Sequence, residues 1–140
     1  MRKFEDSIPL QLLKAREATM SFFRPILQEI SLTEQQWRVL RVLAEFGPVD
    51  ATEIAQQACL LMPSLTRILQ GFEKRGFCTR YAHPSDKRRV LIEITDEGRA
   101  LIDANIAHSN RIFAELEAAY GKERIEDLLD LLNDLSENTR

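Results

Sequence analysis

A chain of 140 residues, 44% apolar and 29% charged, has the composition of a soluble globular domain large enough for its own core. Its longest apolar runs fall short of the ~18 residues a membrane span needs, and the charged start MRKFEDSIPL lacks the apolar centre of a signal peptide, so no membrane partner and a cytoplasmic location are expected. The net charge of −3 hides an asymmetry: between Ser64 and Arg89 seven basic residues stand against two acidic ones, a local +5 on a body of −8, which suits a chain that holds a polyanion on one face.

The first predicted helix runs from about Pro9 to Ile30, with Ser7 as its cap and Pro9 in its first turn. Leu13, Met20 and Leu27 recur every seven residues, and Phe23 and Ile30 join them at coiled-coil-like spacing. Leu10, Leu12, Phe22 and Ile26 make this helix apolar beyond one stripe, so it is either deeply buried or covered by a partner chain. Pro25 removes a backbone donor and predicts a local kink. LTEQQWRVLRVLAEFGP predicts a second helix, opened by a Thr33/Gln36 capping box, with Trp37, Leu40, Leu43 and Ala44 inward and Gly47-Pro48 as its stop. Asp50 and Glu53 suggest a second capping box for a short third helix through Ile54, Ala55 and Ala58, followed by CLLM as a turn. Pro63 opens a fourth helix whose inward stripe is Leu61, Leu65, Ile68, Leu69 and Phe72, and Gly76 ends it.

The period then changes from helical to two. Phe77–Ala82 and Arg89–Thr95, rich in aromatic and β-branched residues, predict two strands around the polar turn HPSDKRR. Thr95 caps a long fifth helix over about Asp96 to Ala119, Tyr120-Gly121 breaks it, and a sixth helix follows with Ile125, Leu128, Leu129, Leu132 and Leu135 on one face. The fold class is mainly α with a small β-hairpin wing: two short helices joined by a tight turn, then a hairpin, make a winged helix-turn-helix. In that arrangement the second helix of the pair keeps one face in the core and offers the other to the DNA major groove. Its free positions are Pro63, Ser64, Thr66, Arg67, Gln70 and Lys74, small, polar or basic residues suited to base edges and phosphates. Gly71 lies beside them and weakens the helix, which either a close approach to DNA or tight internal packing explains. The hairpin tip, Asp86, Lys87, Arg88 and Arg89, fits a minor groove or the phosphate backbone, with Asp86 as a brace that holds the Arg88 guanidinium in one geometry.

SLTRILQGFEKRGF, leading into HPSDKRR and IEITDEGRAL, resembles the recognition helix, the Asp-x-Arg wing and the Thr-x-x-Gly entry to the fifth helix of the MarR family of transcription regulators, and the likeness extends over the whole chain. Gly71 departs from the family, whose members usually carry a better helix former there. The resemblance implies that Ser64, Thr66 and Arg67 face DNA, that Arg88 enters the minor groove and that Asp86 braces it. It also implies one MarR-type domain over 1–140, with a winged helix at about 33–95 and dimerisation helices at about 8–30 and 96–138, acting as a homodimer on a pseudo-palindromic operator. Within the family, LLKAREATMSFFRPIL, LTEQQWRVLRVL and CLLMPSLTRIL resemble members that control aromatic-acid catabolism of the homoprotocatechuate type. That likeness implies a repressor released from DNA by a small aromatic carboxylic acid. Control of another phenolic, antibiotic or redox response is the alternative.

Candidate ligand residues are Arg16, Met20 and Phe23 on the first helix and Trp37 and Arg38 on the second. Arg16 sits amid apolar sequence, and a buried arginine needs an anion from either a ligand or a protein carboxylate. Cys59 and Cys78 have no adjacent base to activate them and are expected to be buried and inert. His83 and His108 lie far apart without a metal-ligand pattern, so neither a metal nor a cofactor is expected. A small helical enzyme is the alternative from another class, but no GxSxG, phosphate loop, HExxH or paired carboxylates support it. A winged helix that binds protein in place of DNA is the third reading.

Overall fold

In the computed structural model, which describes residues 1–139, a short 3-10 turn at Phe4–Asp6 precedes α1 (Ile8–Glu29), α2 (Glu34–Phe46), α3 (Ala51–Ala58), α4 (Met62–Arg75), β1 (Cys78–Ala82), β2 (Val90–Ile94), α5 (Asp96–Tyr120) and α6 (Lys122–Asn138). Polar caps set the starts. Thr33 Oγ1 accepts from Gln36 N at 3.1 Å and Gln36 Oε1 accepts from Thr33 N at 2.9 Å, closing the expected box on α2. At α3 only half of the expected box forms: Asp50 Oδ1 accepts from Glu53 N at 2.9 Å, while Glu53 Oε1 accepts from Gln57 Nε2 one turn further on. α1 continues through Pro25, whose missing N–H leaves the Ser21 carbonyl without its usual intrahelical donor.

The chain divides into two compact units. One comprises Ile26–Ala107, and the expected winged-helix span lies inside it. Its core is a single cluster that includes Val39, Leu40 and Leu43 of α2, Ile54 of α3, Leu65, Leu69 and Phe72 of α4, Cys78, Ile92 and Ile102. The hairpin is antiparallel, pairing Cys78 with Ile94 and Ala82 with Val90. Val49 adds a one-residue third rung, donating to and accepting from Ile92 at 3.2 and 2.8 Å. A lone bridging residue has no period to betray it in sequence.

α4 starts at Met62, and Leu61 is its N-cap in extended conformation. The predicted inward stripe therefore fails at its first member. Leu61 lies outside the helical repeat, so its spacing to Leu65 does not carry it inward, and it is 79% exposed. At the other end Gly76 takes the left-handed conformation, φ 77°, and its N–H caps the carbonyls of Phe72 and Glu73. There α4 is joined to α5. Thr95 Oγ1 donates to Gly76 O at 2.6 Å and accepts from Gly98 N at 3.1 Å, while Thr95 N donates to Phe77 O at 3.0 Å. Gly98 is obligatory at this joint, because a Cβ there would sit 2.5 Å from Phe77 O.

The other unit comprises Met1–Pro25 and the chain from His108 onward. Among its described residues only Ile112 and Ile125 are buried. Ile8, Leu12 and Leu13 of α1, Phe113 of α5, and Leu128, Leu129, Leu131 and Leu135 of α6 stand exposed.

Candidate nucleic-acid interface

α4 has two faces of opposite character. Leu65, Leu69 and Phe72 are buried with Ile68 packed beside them, and Pro63, Ser64, Thr66, Arg67, Gln70 and Lys74 are all exposed. The six sequence-predicted positions thus share one open surface of a helix whose back is fixed in the core. Thr66 Oγ1 donates to Met62 O at 2.9 Å, so its proton is used within the helix and its lone pairs are left as acceptors on an exposed residue. Gly71 continues this surface, one turn from Arg67 and Lys74. A Cβ at Gly71 would meet nothing within 4 Å, which removes internal packing as the reason for the glycine.

The basic residues of this region divide by what they touch. Arg75 lies over the Phe77 ring at 4.7 Å, and Arg80 pairs with Glu73, tying β1 to α4. Among the described residues, Arg67, Lys74 and Lys87 have no ion-pair partner, so their charge is open to solvent. Arg88, at the wing tip, has a side chain 92% exposed, yet Asp86 Oδ1 accepts from both its backbone N at 3.1 Å and its Nε at 3.3 Å. The predicted Asp86–Arg88 pairing is present. His83 shapes the turn behind it: its Nδ1 accepts from the backbone N of Ser85 at 3.1 Å and of Asp86 at 3.2 Å.

Arg89 points elsewhere than its three tip neighbours. Its Nη2 donates to Asp50 Oδ2 at 2.9 Å, linking the root of the wing to the start of α3. The hydrogen bond from Glu53 N, and then the Arg89 guanidinium, hold the Asp50 carboxyl below the usual carboxylate range. Sequence gave no signal for this pair, whose members lie 39 positions apart.

The ligand candidates fall in both units. Arg16, Met20 and Phe23 belong to the unit that contains Met1–Pro25. Arg16 is not buried: its side chain is 43% exposed, with Nη1 3.6 Å from Glu17 Oε1. The apolar sequence around it produced the contrary expectation, but Leu12 and Leu13 are themselves exposed. In the other unit Trp37 and Arg38 line one cleft together with Arg41, Val42, Glu45, Phe46 and Gln57. Arg38 Nε donates to Ala58 O at 2.9 Å, closing the last turn of α3, and Arg41 pairs with Glu45. Arg41 carries no signal in sequence, where with Glu45 it looks like one half of an ordinary surface pair four residues apart. Cys59 is exposed, against expectation, because it ends α3 in the left-handed region at φ 54°. Cys78 is buried, and that burial, reinforced by the Glu73 charge, pushes its thiol up to about 11.

The MarR family model matches residues 32–90, which run from just before α2 through β1 and the wing tip to the first residue of β2. The homoprotocatechuate degradative operon repressor of Escherichia coli is 41% identical over 129 residues, 92% of this chain and 87% of that protein. The chain belongs to the MarR family. Among solved MarR-like structures, NadR in complex with 4-hydroxyphenylacetate superposes with a TM-score of 0.86 at 40% identity, covering 99% of this chain and 98% of that one. The transcriptional repressor CouR bound to a 23-mer DNA duplex gives 0.82 at 28% identity, with 94% of each chain covered. As a MarR chain the protein is a transcription regulator on a winged helix-turn-helix, homologous to an aromatic-catabolism repressor. Its relatives are regulators, and the enzyme alternative falls with them. Among the described residues no helix is long and apolar enough to cross a membrane.

Proposed function

We propose that this MarR protein is a homodimeric repressor of an aromatic-acid catabolic operon, acting in the cytoplasm on double-stranded DNA and released by a small aromatic carboxylic acid. The observation that carries the DNA reading is the exposed face of α4, with Ser64, Thr66, Arg67, Gln70 and Lys74 held outward by a buried back. In this reading α4 enters the major groove, and Lys87 and Arg88 reach the adjacent minor groove or its phosphates with Asp86 as the brace. Arg89 contributes by fixing the wing root. The dimer reading is supported by the apolar side chains that α1, α5 and α6 leave uncovered, more than an isolated 58-residue unit would expose to water without a partner chain. Two subunits related by a two-fold axis read a pseudo-palindrome with half-sites ~10 bp apart.

The effector reading rests on the 41% identity to the homoprotocatechuate repressor and on the 40% identity to NadR, solved with 4-hydroxyphenylacetate. An aromatic acetate offers a carboxylate to Arg16, in exchange for Glu17, and a ring to Met20 and Phe23 of the same unit. Release requires the acid to prefer a dimer whose recognition helices are misplaced for successive major grooves. A tenfold preference at each of two sites gives about a hundredfold loss of affinity, about 2.7 kcal/mol. Mobility shifts on the region upstream of neighbouring aromatic-catabolic genes, with and without 4-hydroxyphenylacetate or 3,4-dihydroxyphenylacetate, test the reading. The parent should bind and be released, and Arg16→Ala should bind and ignore the acid. Equal release of both proteins at one acid concentration makes Arg16 a structural residue.

A further inference from the structure

Two apolar side chains stand in solvent where α4 begins. Leu61, its N-cap, is 79% exposed, and Met62, its first residue, is 44% exposed. Single exposed leucines are common on protein surfaces, but this pair is informative by its place. It adjoins exposed Pro63, Ser64, Thr66 and Arg67, at the end of the helix that a helix-turn-helix protein leads into the groove. The unpaired charges of Arg67, Lys74 and Lys87 mark the partner of this surface as a polyanion.

We infer that Leu61 and Met62 read thymine, packing against the C5-methyl groups of thymines on the floor of the operator's major groove. The inference rests on the reading of α4 as the recognition helix. Neither side chain has a strong donor or acceptor, so neither distinguishes bases by hydrogen bonding, and beside a phosphate either would only displace water. Thymine alone presents an apolar group in the major groove, where cytosine has only a hydrogen at C5. Leu61, branched and at the leading position, makes the main contact. Met62 is unbranched and adaptable, and fills the space beside it. The polar face of α4 then supplies register and hydrogen bonds, and the apolar pair adds discrimination for T·A over C·G at the position under the helix start.

The test starts from duplexes selected by the full-length parent from a randomised pool. The best binder is remade with 2′-deoxyuridine in place of each thymidine in turn, which removes one methyl and leaves every hydrogen-bonding group in place. At one position in each half-site the parent should lose about fourfold in affinity per methyl, and about fifteenfold when both half-sites are changed. Leu61→Ala, with a melting temperature within a degree or so of the parent's because the leucine is exposed, should reduce the per-methyl loss to under about twofold, and L61A/M62A should abolish it. A parent that binds the two duplexes equally overturns the inference. So does a per-methyl loss as large in L61A/M62A as in the parent. If the parent retains no duplex from the pool, the DNA reading itself fails at the first step, and this inference with it.

Discussion

Replacing Gly71 by alanine should change stability and DNA binding in opposite directions. Glycine inside a helix is about 0.8–1 kcal/mol worse than alanine, chiefly because it leaves the unfolded chain more freedom to lose. Ordinarily a helical glycine persists because a methyl group would collide with a neighbour, but here the added Cβ meets nothing within 4 Å. No steric term offsets the gain, so Gly71→Ala should raise the melting temperature by about 3–5 °C for a chain of this size. Thermal unfolding is followed by circular dichroism at fixed protein concentration, since association contributes to the stability of a dimer. On DNA the same methyl projects from the surface shared with Arg67 and Lys74 and keeps the backbone off the groove. Anisotropy with a labelled operator at fixed salt should show affinity reduced by about fivefold or more. If the variant is more stable and binds DNA as the parent does, close approach is not the reason for the glycine. A lowered melting temperature would refute the helix argument itself.

The wing gives a second pair of opposed expectations. Arg88→Ala should weaken DNA binding by about fivefold to a hundredfold, and Asp86→Ala should weaken it too although it removes a negative charge. Tighter binding by Asp86→Ala would rule out the brace. Arg89→Ala should lower stability at pH 7 by about 0.2–1 kcal/mol, the range for exposed pairs, read from chemical denaturation. Asp50 has a depressed folded-state pKa, so its contribution is present above the ordinary carboxylate value of about 3.9 and is lost as pH falls through the folded value. The difference between parent and Arg89→Ala should therefore shrink as pH falls and vanish once the Asp50 carboxyl is protonated in the folded state, and a difference independent of pH across the acid range contradicts the Asp50 assignment. At pH 8 iodoacetamide should label Cys59 in the native protein and spare Cys78, which is buried and keeps its proton up to about 11. Mass spectrometry showing equal rates would mean that the native state opens around Cys78.

Most of the architecture was readable because it is written locally. The Thr33/Gln36 box, the stop at Gly76 and the two-faced pattern of α4 are each contained within a few residues, and the strand expected from Phe77 begins one residue later, at Cys78. So was the Asp86–Arg88 pair, two positions apart. What escaped was set by long-range geometry or by end effects. Arg89 belongs to its tip neighbours by sequence and to Asp50 by structure. Leu61 obeys the helical spacing but precedes the helix, so the repeat does not govern where its side chain goes. Arg16 lies in apolar sequence whose apolar side chains are uncovered in a single chain, and sequence cannot distinguish a residue buried in its own fold from one awaiting a partner. Capping by Asp50 was legible, whereas the use of Glu53 against Gln57 in place of a reciprocal cap depended on which partner came within reach.

The Thr95 joint has a mechanical consequence. One hydroxyl is bonded both to the carbonyl that ends the α4 turn and to the third amide of α5, and Gly98 lets the two backbones meet without a side chain between them. α5 then runs without a break for 25 residues from this joint. The first turn of α5 is thereby welded to the end of α4. Strain at that turn meets hydrogen bonds and close backbone contact before it meets any loop. Thr95→Ala would remove both hydroxyl bonds at the weld and keep the backbone bond from Thr95 N to Phe77 O.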